Sequence, residues 1–131
     1  MAYELNSLLG RLVGFRLYSV GFVTDYVQLR FDGPTDDMPL LTCDVLPTVT
    51  LSGKAISPAE SGWADALRAL ISQNVTTTHE KTGIGVKVDF GTGSVQLHPA
   101  ACEGPEIAML NGFADRSWMV WRPGEEAFED L

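Results

Sequence analysis

Apolar and polar residues alternate in two separated stretches, and this alternation is the strongest signal in the chain. Val13, Phe15 and Leu17 alternate with Gly14 and Arg16, and after Thr24 and Asp25 the set Val27, Leu29, Phe31 alternates with Gln28 and Arg30. A period of two places one set of side chains on one face of a strand, so the pattern predicts a β-hairpin with a buried face. Between Leu17 and Val23 the apolar phase slips to Tyr18, Val20 and Phe22, which predicts a bulge near residues 19–21. Asp32, Gly33 and Pro34 then stop the second strand, and Thr35, Asp36 and Asp37 make a solvated loop. Alternation resumes over 40–45. Pro47 has no N–H to give to a ladder, so 40–51 reads as two short strands or one bulged edge strand.

The helical signal is concentrated in 57–72. Ser57 is a good N-cap, Pro58 suits the first helical position and Glu60 completes a capping box, although Gly62 weakens the start. Trp63, Ala66, Leu67, Leu70 and Ile71 line one face opposite Asp65, Arg68 and Ser72, so this helix packs on a sheet. Asn74 and Thr76 to Thr78 lead into β-favouring sequence, where Ile84, Val86, Val88 and Phe90 alternate up to the turn Gly91-Thr92-Gly93. Val95 and Leu97 complete a second hairpin. Residues 105–110 read as one or two helical turns, and 118–122 as a final short strand ended by Pro123 and Gly124. The expected fold is α+β, a mainly antiparallel sheet of about six or seven short strands with one main packed helix. It occupies 1–124 as a single domain and is followed by an acidic tail over 125–131.

The two hairpins look alike. Val27-x-Leu29-x-Phe31 and Val86-x-Val88-x-Phe90 stand 59 residues apart, and Cys43 and Cys102 share that separation. The identities are few, so shared hairpin physics accounts for the likeness; the alternative is a duplication that makes a pseudo-symmetric sheet.

Composition narrows the class of protein. The 131 residues are 45% hydrophobic, enough for a real core, and no apolar run approaches the roughly 20 residues of a membrane helix. Residues 1–10 lack the basic and apolar regions of a secretory leader, which points to a cytoplasmic protein with Cys43 and Cys102 as free thiols. Nine basic against seventeen acidic residues leave a net charge of −8, split evenly along the chain. Nucleic acid is therefore a poor partner and a basic protein a good one.

Catalytic patterns are thin. His79 and His98 are the only imidazoles, and no CxxC, HxH or HExxH spacing is present, so neither a metal nor another cofactor is expected. Gly91-Thr92-Gly93-Ser94 and Gly83-Ile84-Gly85 are explained by turns. The acidic pairs Asp36/Asp37, Glu103/Glu106 and Glu125/Glu126 sit in polar tracts, where solvated charge explains them.

Candidate binding chemistry gathers in the C-terminal third. Arg116, Trp118, Trp121 and Arg122 combine two residue types enriched at binding hot spots; in a strand Trp118 and Trp121 face opposite sides, so either one ring is exposed or both are core with Arg122 lying over them. Glu125, Glu126, Glu129 and Asp130 give 125–131 four negative charges, with Phe128 as an anchor, so the tail is either a frayed end or an arm for a basic partner.

Leu12-Val13-Gly14, Val27-Gln28-Leu29-Arg30-Phe31-Asp32-Gly33 and Trp118-Met119-Val120-Trp121-Arg122-Pro123-Gly124-Glu125 resemble segments of small uncharacterised bacterial α+β proteins, some of them similar to immunity proteins of toxin systems. The resemblance implies a cytosolic, non-catalytic protein that binds and occludes a basic partner. It carries no active-site residue onto this chain. The expected function is a non-enzymatic protein-binding module. The alternatives are a homo-oligomeric structural or regulatory protein paired through edge strands as a homodimer, and a small-molecule binder or small enzyme built on His79 and His98.

Overall fold

The computed structural model describes residues 4–102 and 104–131. Ten strands form two antiparallel five-stranded sheets, where the sequence pattern gave one sheet of six or seven strands. The first sheet contains β1 (Arg16–Val23), β2 (Tyr26–Asp32), β3 (Leu40–Cys43), β9 (Ala108–Asn111) and β10 (Met119–Trp121), in the order β1-β2-β3-β9-β10. The second contains β4 (Thr48–Leu51), β5 (Lys54–Ile56), β6 (Val75–Lys81), β7 (Gly85–Phe90) and β8 (Gly93–Leu97), in the order β5-β4-β8-β7-β6. The single α-helix, α1 (Trp63–Ala69), and 3-10 turns at Leu9–Leu12 and Glu126–Phe128 complete the described elements. The inner faces of both sheets contribute to one contiguous core.

The phase slip in β1 has a simple cause. Leu17 pairs with Phe31 and Ser19 with Arg30, so Tyr18 is the extra residue of a bulge, one position before the range read from the sequence. Leu17 before the bulge and Val20 and Phe22 after it then share the inner face, opposite Phe31, Leu29 and Val27. Upstream, Leu9–Leu12 is a 3-10 turn rather than strand, and Val13 is exposed, so the strand begins only at Arg16.

The helix is shorter than its capping signal. Ser57 N–H does donate to Glu60 Oε1 at 3.1 Å, but Gly62 adopts φ 90°, which resets the chain and delays regular helix to Trp63. Residues 108–111 form a strand, not helical turns, because Leu40–Cys43 offers them a complete antiparallel partner. Pro47 separates β3 from β4, and those two strands enter different sheets.

Each sheet is a three-strand meander whose last strand pairs with a hairpin from the other half of the chain. Thus β1-β2-β3 takes β9-β10, and β6-β7-β8 takes β4-β5. The register agrees position by position. Tyr18 and Thr76 are the extra residues of equivalent bulges. The runs Val27, Leu29, Phe31 and Val86, Val88, Phe90 occupy equivalent inner positions, and so do Leu41 and Val95, and Val49 and Leu110. Leu9 and Leu12 stand 58 residues before Leu67 and Leu70, and all four are fully buried ahead of their meanders. The starts of the two meanders meet antiparallel at the Arg16↔Asn74 bridge, which places a local pseudo-dyad there. The hairpin likeness therefore reflects a structural repeat spread over two sheets. The cysteine spacing does not: Cys43 is equivalent to Leu97, while Cys102 lies in a loop, and both are free thiols.

Candidate functional site

The connections of the repeat differ most in length at one place. In the second sheet, β7–β8 and β4–β5 are joined by two-residue turns, 91–92 and 52–53, which touch through Ser52 N–H donating to the Thr92 carbonyl at 3.0 Å. The corresponding connections of the first sheet, 33–39 and 112–118, are seven residues each. They also touch: Met38 N–H donates to the Gly112 carbonyl at 3.0 Å, and Ala114 N–H donates to Asp37 Oδ1 at 2.7 Å. Gly112 permits this approach. At φ 93° a Cβ would stand 2.1 Å from the Met38 carbonyl oxygen.

The enlarged loop pair carries the two most exposed large hydrophobic residues among those described, Trp118 at 61% and Met38 at 56%. Beside Trp118 opens a hollow of about 390 Å³, with Met109, Phe113 and Trp118 as its apolar lining and Asn111, Arg116 and Ser117 as its polar groups. A smaller hollow of about 220 Å³, between Ser7, Leu8 and Arg11, shares Ser117 and Trp118, so the indole forms a ridge between the two.

Electrostatics organise the loop. Arg11 bonds Asp115 Oδ2 at 2.9 Å and lies 5.2 Å from the Phe113 ring centroid, so its charge is already engaged. The backbone N–H and hydroxyl of Ser117 and the Arg11 guanidinium hold the Asp115 carboxyl below its ordinary value. The Ala114 N–H and the Thr35 hydroxyl do the same for Asp37. Arg116 has no ion pair among the described residues. It adopts φ 66°, a left-handed conformation that costs a non-glycine residue about 1 kcal/mol.

Of the residues singled out from the sequence, Arg116 and Trp118 meet at this hollow. Trp121 does not: it is buried, and its indole N–H donates to Glu80 Oε2 at 2.8 Å, because β10 turns that side chain into the core. Phe128 is also fully buried, stacked against His98 with centroids 6.3 Å apart. These two corrections remove both rings from the accessible surface. Arg122, Glu125, Glu126, Glu129 and Asp130 are exposed but lie past the opposite end of β10. The tail is pinned there. Thr82 bonds Glu129 at 3.0 Å, His98 Nε2 lies 2.9 Å from Asp130, and Glu126–Phe128 forms a 3-10 turn.

The remaining candidates stay apart from the hollow. His79, on β6, sits 3.0 Å from Asp89 on β7. Glu103 lies outside the described residues; its companion Glu106 shares a hollow of about 270 Å³ with Asp44, whose carboxyl is raised by burial and then by Glu106. No grouping of three or more His, Cys, Asp or Glu able to hold a metal occurs among the described residues. Nor is any described helix long and apolar enough to cross a membrane. Sequence reading missed Met38, Asn111 and Phe113; an exposed methionine between two polar loop residues and a proline was the available signal for the first. No protein-family model matches the chain, and neither do any curated protein and any solved structure.

Proposed function

We propose that this chain is a non-enzymatic protein-binding module that occludes its partner sterically, with the 33–39 and 112–118 loop pair as the contact surface. The observation that carries the reading is the 61% exposed Trp118 on a loop enlarged in only one of two equivalent sheets. Tryptophan and arginine are each enriched among binding hot spots. The polar groups of the hollow, Asn111, Arg116 and Ser117, can hydrogen-bond or pair with an anion but include no general base. The net charge of −8 favours a basic partner, in keeping with an immunity-like role, by long-range attraction that salt weakens.

Self-pairing through sheet edges is the weaker reading. Of the four edge strands, β5 and β10 have three residues each and β5 carries Lys54, a residue type that guards edges, while β1 and β6 bond to each other where they start, at the Arg16↔Asn74 bridge. The test is capture of a stoichiometric partner by immobilised protein at low and high salt, followed by affinity measurement with the purified partner. Trp118→Ala should weaken binding by roughly 30-fold, the loss of one hot spot, while Lys54→Ala leaves it unchanged. Equal affinity of Trp118→Ala and the parent chain would remove the loop pair as the site.

A further inference from the structure

The chemistry of the hollow specifies more than a contact surface. The accessible apolar lining is the exposed Trp118 and the half-buried Met109, with Phe113 buried beside them, and the volume of about 390 Å³ lies at the small end of ligand sites. The hollow is open on one side, so an occupant continues outward rather than being enclosed. Five of the nine basic residues, Arg30, Lys54, Lys81, Arg116 and Arg122, have no ion pair among the described residues, and of these Arg116 borders the hollow, whereas the neighbouring Arg11 is engaged by Asp115 and Phe113. Asn111 adds an amide able to donate to the same anion or to bond a peptide group. Met38, bonded through its N–H to the carbonyl of Gly112 at the hollow, is further exposed apolar surface for residues that precede an anchored one.

We infer that the hollow receives the C-terminal residue of a partner polypeptide, its apolar side chain against Trp118 and Met109 and its terminal carboxylate on Arg116. This rests on the protein-binding reading above and names what is bound. A chain end supplies the required combination, one carboxylate directly attached to one apolar residue with the rest of the chain leading away. The guanidinium can hold both carboxylate oxygens through parallel N–H donors, which fixes orientation as well as charge. Net negative charge and a local cation do not conflict, since the first attracts a basic protein at long range and the second reads its terminus at contact.

The experiment uses the intact chain and three probes: N-acetyl-Leu-Phe with a free carboxylate, the same dipeptide as its C-terminal amide, and 3-phenylpropionate. Binding is followed by NMR of the Trp118 indole N–H and the Ala114 amide. The free dipeptide should saturate with shifts centred on Trp118, bind about tenfold or more tightly than its amide, and fall to the level of the amide in Arg116→Gln. Equal binding of acid and amide, shifts centred elsewhere, or no saturation by about 10 mM would overturn the inference. If 3-phenylpropionate matches the dipeptide, the occupant is a free aromatic acid and the chain-end source is overturned. Failure here is separable from failure of the binding reading, because a partner released by Trp118→Ala but indifferent to all three probes leaves the loop pair standing and removes only the terminus.

Discussion

Two and four residues beyond their bulges, β1 carries Val20 and Phe22 while β6 carries Thr78 and Glu80, all on the inner face and opposite equivalent partners. In the first half Phe22 closes that end of the sheet with apolar contact, its ring 6.1 Å from that of Trp63 at 73° and 5.7 Å from the Arg68 guanidinium. In the second half Thr78 and Glu80 are 7% and 5% exposed, and a polar network replaces the rings. Asn6 N–H and Trp121 Nε1–H donate to the two Glu80 oxygens, each at 2.8 Å, and the Thr78 hydroxyl donates to Asn6 Oδ1 at 2.8 Å. The same inner positions thus accept opposite chemistries. The condition is that every buried donor and acceptor is matched, because an unmatched one costs what several good contacts gain.

The comparison can be broken most severely by cutting the chain between Ile56 and Ser57. Each sheet then draws strands from both fragments, so neither fragment alone should unfold cooperatively, while an equimolar mixture should recover the circular dichroism and mass of a one-to-one complex. A fragment that folds by itself would refute the exchange of hairpins.

Making the second half resemble the first is the next largest perturbation. Glu80→Phe leaves the Trp121 indole and Asn6 amide hydrogens without their acceptor, and urea denaturation should show a loss of about 3 kcal/mol. The reverse change, Phe22→Glu, falls at a position 42% exposed beside Arg68 and should cost about 1 kcal/mol. Equal costs would mean that the two closures are interchangeable.

Acid sharpens the contrast between the loop pairs. The folded-state values of Asp37 and Asp115 lie below the ordinary 3.8, so their contribution is complete above that value and is lost as pH falls through the lowered ones. The amides of Ala114 and Ser117 should therefore lose protection below about pH 4, ahead of Ser52 in the tight-turn pair, which leans on no carboxylate. Simultaneous loss in both pairs would show global unfolding instead. The mildest test concerns the cysteines. Burial pushes the Cys43 thiol up to about 12, so iodoacetamide should modify only Cys102 in the native protein, and mass spectrometry of the native adduct should find Cys43 unlabelled.

Much of this architecture was legible because it rests on local periodicity. The slip after Leu17 announced a bulge, whereas the 59-residue spacing of Val27 and Val86, which the sequence pattern assigns to shared hairpin physics, belongs to a structural repeat. What local pattern could not settle was anything decided by partners far along the chain. Ile107 to Leu110 are four apolar residues with no alternation, and pairing with β3 and β10 makes 108–111 a strand. A three-residue β10 cannot say which of Trp118 and Trp121 faces inward; Glu80, 41 residues away, decides it. Arg116 and Trp118 were readable as binding residues by type, but Met38 joins them only because β3 and β9 pair and bring the two loops to one edge.

The exchanged hairpins also set a timetable. As the chain is made from its N-terminus, β1, β2 and β3 are complete at Cys43, yet the strands that cover the β3 edge begin only at Ala108. At roughly 5–20 residues per second the wait is on the order of several seconds, during which Val27, Leu29, Phe31 and Leu41 form an uncapped meander. A nascent chain of this design keeps the β3 edge unpaired until its last strands leave the ribosome.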